Sequence, residues 1–86
     1  MRITKSSKAG TLESNDILIM VSPNDEGNMI ELESIVKLQF GEHIEKLILS
    51  KLIEMQVENA FIKAQDKGAL DYAIISRVET AIKRAE

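Results

Sequence analysis

Apolar and polar positions along this chain change period several times, and each change marks an element. Ile17-Leu18-Ile19-Met20-Val21 is a run of β-formers that stops at Ser22-Pro23, which predicts a strand. Asn24-Asp25-Glu26-Gly27-Asn28 then supplies turn residues. Ile30, Leu32 and Ser34 alternate with Glu31 and Glu33, the period of a half-buried strand. Upstream, Ala9 to Glu13 is expected to pair back on residues 16 to 22, with Ser14-Asn15 as a tight connection. Asn tolerates the left-handed backbone of such turns, and Asp16 can bond neighbouring amides.

The period then lengthens. Val36, Phe40, Ile44, Leu47, Ile48, Leu52 and Met55 recur every three or four residues and predict a helix, with Gly41 as a candidate break or kink. Ala60, Ile62 and Ala64 alternate with Phe61 and Lys63, indicating a further strand, and Asp66-Lys67-Gly68 reads as a turn. From Ala69 a second helix carries Leu70, Ile74, Val78, Ala81, Ile82 and Ala85 on one face, with Lys83 and Arg84 in its last turn, where cations suit the helix dipole. The order is β-β-β-α-β-α. Two amphipathic helices need a shared apolar surface, so the expected fold class is α+β: a two-layer sandwich of a small mixed β-sheet with both helices on one face.

Eighty-six residues make one domain, 1–86, with a modest core. Arg2, Lys5 and Lys8 concentrate base at the start with no acid among residues 1–8, read as a flexible basic arm; the sharper alternative is an arm lying near an anionic ligand. The strand Ile17 to Val21 is apolar at every position, so both its faces need cover, from neighbouring loops or from partner subunits. The net charge of −3, two Phe, one Tyr and no Trp argue against a nucleic-acid module, which stacks bases on aromatics beside a basic surface. Without cysteine there is no disulfide, thiolate metal site or cysteine nucleophile. The first dozen residues lack the apolar stretch of a signal peptide, and the longest apolar run is far short of a membrane span; a soluble, cytoplasmic protein is expected.

Catalytic chemistry is hard to find. His43 is the only histidine, too little for a triad or a metal site, and reads as a surface residue near a helix start. Glu42–Lys46 and Glu54–Glu58 are spaced four apart and read as solvated helix faces. There is no phosphate-cradling glycine loop and no nucleophile elbow. Ser14 is one of seven serines and taken alone is a turn residue. An exposed hydroxyl on a rigid turn nevertheless suits attachment of a prosthetic group by a second enzyme, which would supply the base that a lone serine lacks.

Ala9-Gly10-Thr11-Leu12-Glu13-Ser14, followed by Asp16 and an apolar strand, resembles the citrate lyase acyl carrier proteins, the gamma chains of bacterial citrate lyase. Gln39-Phe40-Gly41 and Asp66-Lys67-Gly68-Ala69-Leu70-Asp71 are similar to that family too, and the likeness runs from about Ile3 to Ala85. The resemblance implies a carrier without catalytic residues of its own, in which Ser14 holds phosphoribosyl-dephospho-CoA through a phosphodiester bond. It implies that the thiol of that arm carries acetyl and then citryl as thioesters while citrate is cleaved to acetate and oxaloacetate in citrate fermentation. The implied partners are the alpha and beta subunits of citrate lyase, the transferase that attaches the group and the ligase that acetylates it, with no nucleic acid, membrane or metal. Asn15 departs from the small residue usual after the serine, which touches the turn type. Malonate decarboxylase carriers use the same type of group and are the nearest confusable relatives; a non-catalytic adaptor, with Ser14 only a turn residue, is the third reading.

Overall fold

The run of β-formers from Ile17 to Val21 forms one of the two interior strands of the sheet. In the computed structural model, which describes residues 1–86, the strands are β1 (Ser7–Gly10), β2 (Ile17–Pro23), β3 (Met29–Ser34) and β4 (Ala60–Asp66), and the helices are α1 (Lys37–Glu54) and α2 (Asp71–Ala85). The sheet order is β1-β2-β4-β3. β2 pairs antiparallel with both β1 and β4, whereas β3 and β4 are parallel, and α1 provides the long crossover that a parallel pair requires. The expected element order and the mixed, two-layer α+β architecture are therefore the observed ones.

Alternation along the strands decides which face is covered. Ile17, Ile19 and Val21 of β2, Ala60, Ile62 and Ala64 of β4 and Leu32 of β3 are buried under Ile44, Ile48 and Leu52 of α1 and Ile74, Val78, Ala81 and Ile82 of α2. Small residues at 60, 64 and 81 let backbone and helix approach closely. The opposite face keeps Leu18, Met20 and Phe61 half-buried, so the helices cover one face of β2 only.

Several local expectations differ from the structure. β1 ends at Gly10, paired with Leu18, and does not run on to Glu13; Ser14-Asn15 does form a tight turn, closed by the Asp16 amide on the Glu13 carbonyl, but it lies within a six-residue loop 11–16 and does not join the strands by itself. Gly10 has φ +97, and a Cβ there would lie 1.8 Å from the Ile17 carbonyl oxygen, so the chain leaves the ladder where only glycine fits. Helix α1 passes through Gly41 without a break, and Gly41 is buried over Leu32. Phe40, placed on the apolar stripe by its spacing, is 53% exposed. Asp66 belongs to β4 and not to the turn, and α2 starts at Asp71, after Ala69 and an extended Leu70.

Residues 1–8, expected as a flexible arm, are held to the body of the protein. Ile3 is 1% exposed, its amide donates to Asn59 Oδ1 (3.0 Å), and Asn59 Nδ2 donates back to its carbonyl (3.0 Å). The Thr4 and Lys5 amides donate to the Ala85 carbonyl at the end of α2. One isoleucine between two polar residues is too short a signal to register as a packed segment, and its partner lies 56 residues away. Because Asn59 is itself buried, Asn59→Ala leaves two backbone groups of Ile3 without partners. The expected cost is about 2 kcal/mol of unfolding free energy, measured by urea titration, with faster amide exchange at Ile3.

Candidate functional site

The loop 11–16 is organised by one carboxylate. Asp16 Oδ2 accepts from Thr11 Oγ1 at 2.6 Å and from an Arg77 terminal nitrogen at 3.0 Å, while Oδ1 accepts from the Ile17 amide at 2.7 Å and from Arg77 Nε at 3.2 Å. Thr11 Oγ1 also accepts the Glu13 amide, and the Asp16 amide donates to the Glu13 carbonyl. Asp16 thus ties both ends of the loop together and clamps them to the side of α2, through a two-pronged guanidinium contact that is stronger than a single bond.

The opposite flank of the loop is tied by backbone alone. The Asn15 amide donates to the Lys67 carbonyl, and the Lys67 amide donates to the Asp16 carbonyl, each at 2.8 Å. Asn15 takes φ 65, the left-handed backbone expected of it. Lys67 is held in turn by Asp66, 2% exposed, whose carboxylate accepts from Ser34 Oγ (2.8 Å) and from the Ala69 amide (3.0 Å). Ser14 sits at the tip of this braced loop. Its side chain is exposed, and its hydroxyl takes no part in the network.

The remaining polar motifs divide cleanly. His43 Nε2 lies 2.9 Å from Asp71 Oδ2 and 3.0 Å from Oδ1, an exposed contact between α1 and the first turn of α2. Glu42 and Lys46 pair at 3.2 Å on the surface of α1. Glu54 joins Lys51, not Glu58, and Lys51 also reaches Glu79 at 3.2 Å; Glu54 first and then Glu79 raise the pKa of the lysine, and Lys51 lowers that of Glu79. No three acidic or histidine side chains gather as a metal site. Sequence reasoning missed Arg77 and Lys67. Arg77 is 61 residues from Asp16 on an otherwise ordinary helix, and Lys67 acts through its backbone, so neither leaves a local signal.

Loop 11–16 thus presents an exposed Ser14 hydroxyl without a hydrogen-bond partner. The family model described as "ACP: Malonate decarboxylase delta subunit (MdcD)" matches residues 4–85, which places the chain among the acyl carrier proteins. Among relatives, the citrate lyase acyl carrier protein of Halothermothrix orenii is 49% identical over 85 residues, covering 99% of this chain and 90% of the relative. That of Fusobacterium nucleatum is 50% identical over 78 residues, covering 90% and 83%. The chain belongs to the citrate lyase acyl carrier protein family. Its backbone also superposes on a chain of a Pseudomonas malonate decarboxylase hetero-tetramer solved with malonate, with a TM-score of 0.78 over 95% of this chain and 84% of that one. At 17% identity that likeness concerns the fold alone.

The Thr11 hydroxyl first, and then the Arg77 fork, hold the Asp16 carboxyl at about 2, below its ordinary 3.8. Folding therefore favours the ionised form, so the unfolded chain binds more protons between these two values. The stabilisation is complete above about pH 5 and is lost as the pH falls through about 2; allowing for solvent screening it amounts to roughly 1–2 kcal/mol. In Arg77→Met the Asp16 midpoint, followed by side-chain carboxyl NMR, is expected to rise by about one unit while Thr11 keeps it below the ordinary value. An unchanged midpoint would contradict the clamp.

Proposed function

We propose that this chain works as the acyl carrier subunit of citrate lyase and that Ser14 is the residue to which its prosthetic group, phosphoribosyl-dephospho-CoA, is joined by a phosphodiester. The carrying observation is the exposed, unengaged Ser14 hydroxyl on a loop clamped by Asp16, in a chain about half identical to citrate lyase acyl carrier proteins. A primary hydroxyl open to solvent, with no bond to give up, fits such a linkage. No side chain of this protein hydrogen-bonds to it, so the transferase must bring the base that accepts the proton as Oγ bonds to phosphorus and the bond from that phosphorus to the donor's leaving group breaks.

When bound, the group supplies a thiol for thioester chemistry, and that chemistry is the cofactor's own. The protein's part is mechanical and electrostatic. Loop 11–16 holds the attachment point at a fixed place on the fold, so that a tether of given length reaches a defined volume. Arg77 cancels the charge of Asp16, two residues from Ser14, which lessens repulsion toward the phosphodiester. The proposed partners are the alpha and beta subunits, the transferase and the acetylating ligase, and the proposed compartment is the cytoplasm. No helix is long and apolar enough to cross a membrane.

A malonate decarboxylase carrier is the second reading, favoured by the description of the matching family model and by the shared fold. The citrate system is preferred because the citrate lyase relatives cover nearly the whole chain at 45–50% identity. Co-expressed with its modifying enzymes, the wild-type chain should gain the mass of the arm on the peptide containing Ser14, and Ser14→Ala should gain none. A lyase reconstituted with Ser14→Ala should lose at least about 100-fold in citrate cleavage. Full activity with an unmodified Ser14 would refute the reading, and rescue by malonate-processing subunits but not citrate-processing ones would favour the alternative.

A further inference from the structure

Gln39-Phe40-Gly41 and the part of Asp66-Lys67-Gly68-Ala69-Leu70-Asp71 beyond Lys67 remain without a role. The fold brings them together. Phe40 from the first turns of α1 and Gly68, Ala69 and Leu70 from the β4–α2 connection wall a recess of about 330 Å3, floored by Ile44 and Ile74 and rimmed by the His43–Asp71 pair. That volume is at the lower end of the roughly 300–1,000 Å3 of small-molecule pockets. The apolar part of its rim is uncovered, with Phe40 53% and Leu70 64% exposed.

The recess shares a wall with the Ser14 loop. Lys67 is the residue that Asn15 and Asp16 bond through the backbone. At Gly68, the next residue, a Cβ would stand 3.6 Å from Asn15 Oδ1 on one side and 3.6 Å from Ile35 Cδ1 on the other.

We propose that this recess is a resting place for the thiol-bearing end of the arm carried by Ser14, a retracted state held between visits to the partner enzymes. The inference rests on the Ser14 reading. The occupant is argued from position and chemistry. A group tethered to the neighbouring loop is present at an effective concentration of order millimolar, so a shallow apolar recess suffices to hold it. An apolar floor with a hydrogen-bonding rim at His43 and Asp71 suits a narrow chain of amides ending in a small acyl thioester. The consequence is protection, because an acyl thioester withdrawn from water is shielded from hydrolysis.

The test compares apo- and holo-carrier by amide NMR, with intact mass confirming the adduct on Ser14. Retraction predicts shift changes at Gly68 to Asp71 and at Val36 and Phe40, in addition to loop 11–16. It also predicts that the acetylated carrier alone hydrolyses about five-fold more slowly than free acetyl-dephospho-CoA. Phe40→Ser, which opens a wall at a half-exposed position, and Ala69→Leu, which fills the space, should each remove both effects while the chains stay folded by circular dichroism. An adduct on Ser14 with shifts confined to residues 11–16 and hydrolysis equal to the free thioester overturns the retracted state but leaves the attachment standing. Variants that weaken only assembly with the enzyme subunits overturn it too, and assign the recess to a partner's side chain. Absence of any adduct on Ser14 overturns both readings.

Discussion

The contact between Asp16 and Arg77 is the constraint from which the geometry around Ser14 follows. A six-residue connection between antiparallel strands has many conformations, and its own residues supply only short-range bonds. Fixing it requires a group from elsewhere in the fold, and the guanidinium of α2 meets both carboxylate oxygens. The pair is part-shielded, with Asp16 16% exposed and Arg77 41%, so it is stronger than the usual surface ion pair but is not burdened by full desolvation. It also settles an electrostatic conflict. A carboxylate two residues from the hydroxyl proposed to bear a phosphodiester would repel that group, and the same arginine that positions the loop neutralises the charge.

Rigid flanks and a free tip are compatible here because the backbone is specialised at only two points. Gly10 lets the chain turn out of the ladder against the Ile17 carbonyl, and Asn15 accepts the left-handed conformation that turns it back. Between them, Leu12, Glu13 and Ser14 are exposed and spend no side chain on the fold. The central position of β4 completes the frame. It pairs with β2 along seven residues, from Ile17–Asp66 to Pro23–Ala60, so the connection that leaves it at Lys67 arrives beside the loop that enters β2.

What could be read in the sequence follows from how local each signal is. Strands β3 and β4 and helix α2 announce themselves by period, and β2 by its run of β-formers. The Asn15 backbone was legible as local turn chemistry, but the face of β2 that the helices cover was not, because every position from Ile17 to Val21 is apolar. The end of β1 was not, because it depends on a carbonyl seven residues downstream that a side chain at Gly10 would strike. The packed N-terminus depends on Asn59, and the loop clamp on Arg77; both are long-range contacts between residues of unremarkable local context. Phe40 has helical spacing but stays 53% exposed, at the wall of the recess beside Gly68 to Leu70. Ser14 was visible to composition and spacing only as a turn residue, and it was the family likeness that singled it out.

The stretch Asp66 to Asp71 shows why a compact polar motif can carry more than a turn. Its residues reach several elements: Asp66 takes Ser34 at the end of β3, Lys67 and Gly68 meet the Ser14 loop, and Asp71 takes His43 of α1. The bonds to the Ser14 loop are made by the Lys67 amide and carbonyl, so they survive any change of that side chain that keeps the backbone path. The path in turn is secured by Asp66, whose two acceptor contacts are both sheltered from water and therefore costly to lose. Placement of Ser14 relative to the helices is consequently a property of backbone pairing with Lys67 and one carboxylate fork. The exposed tip is free to change partners without disturbing the body that aims it.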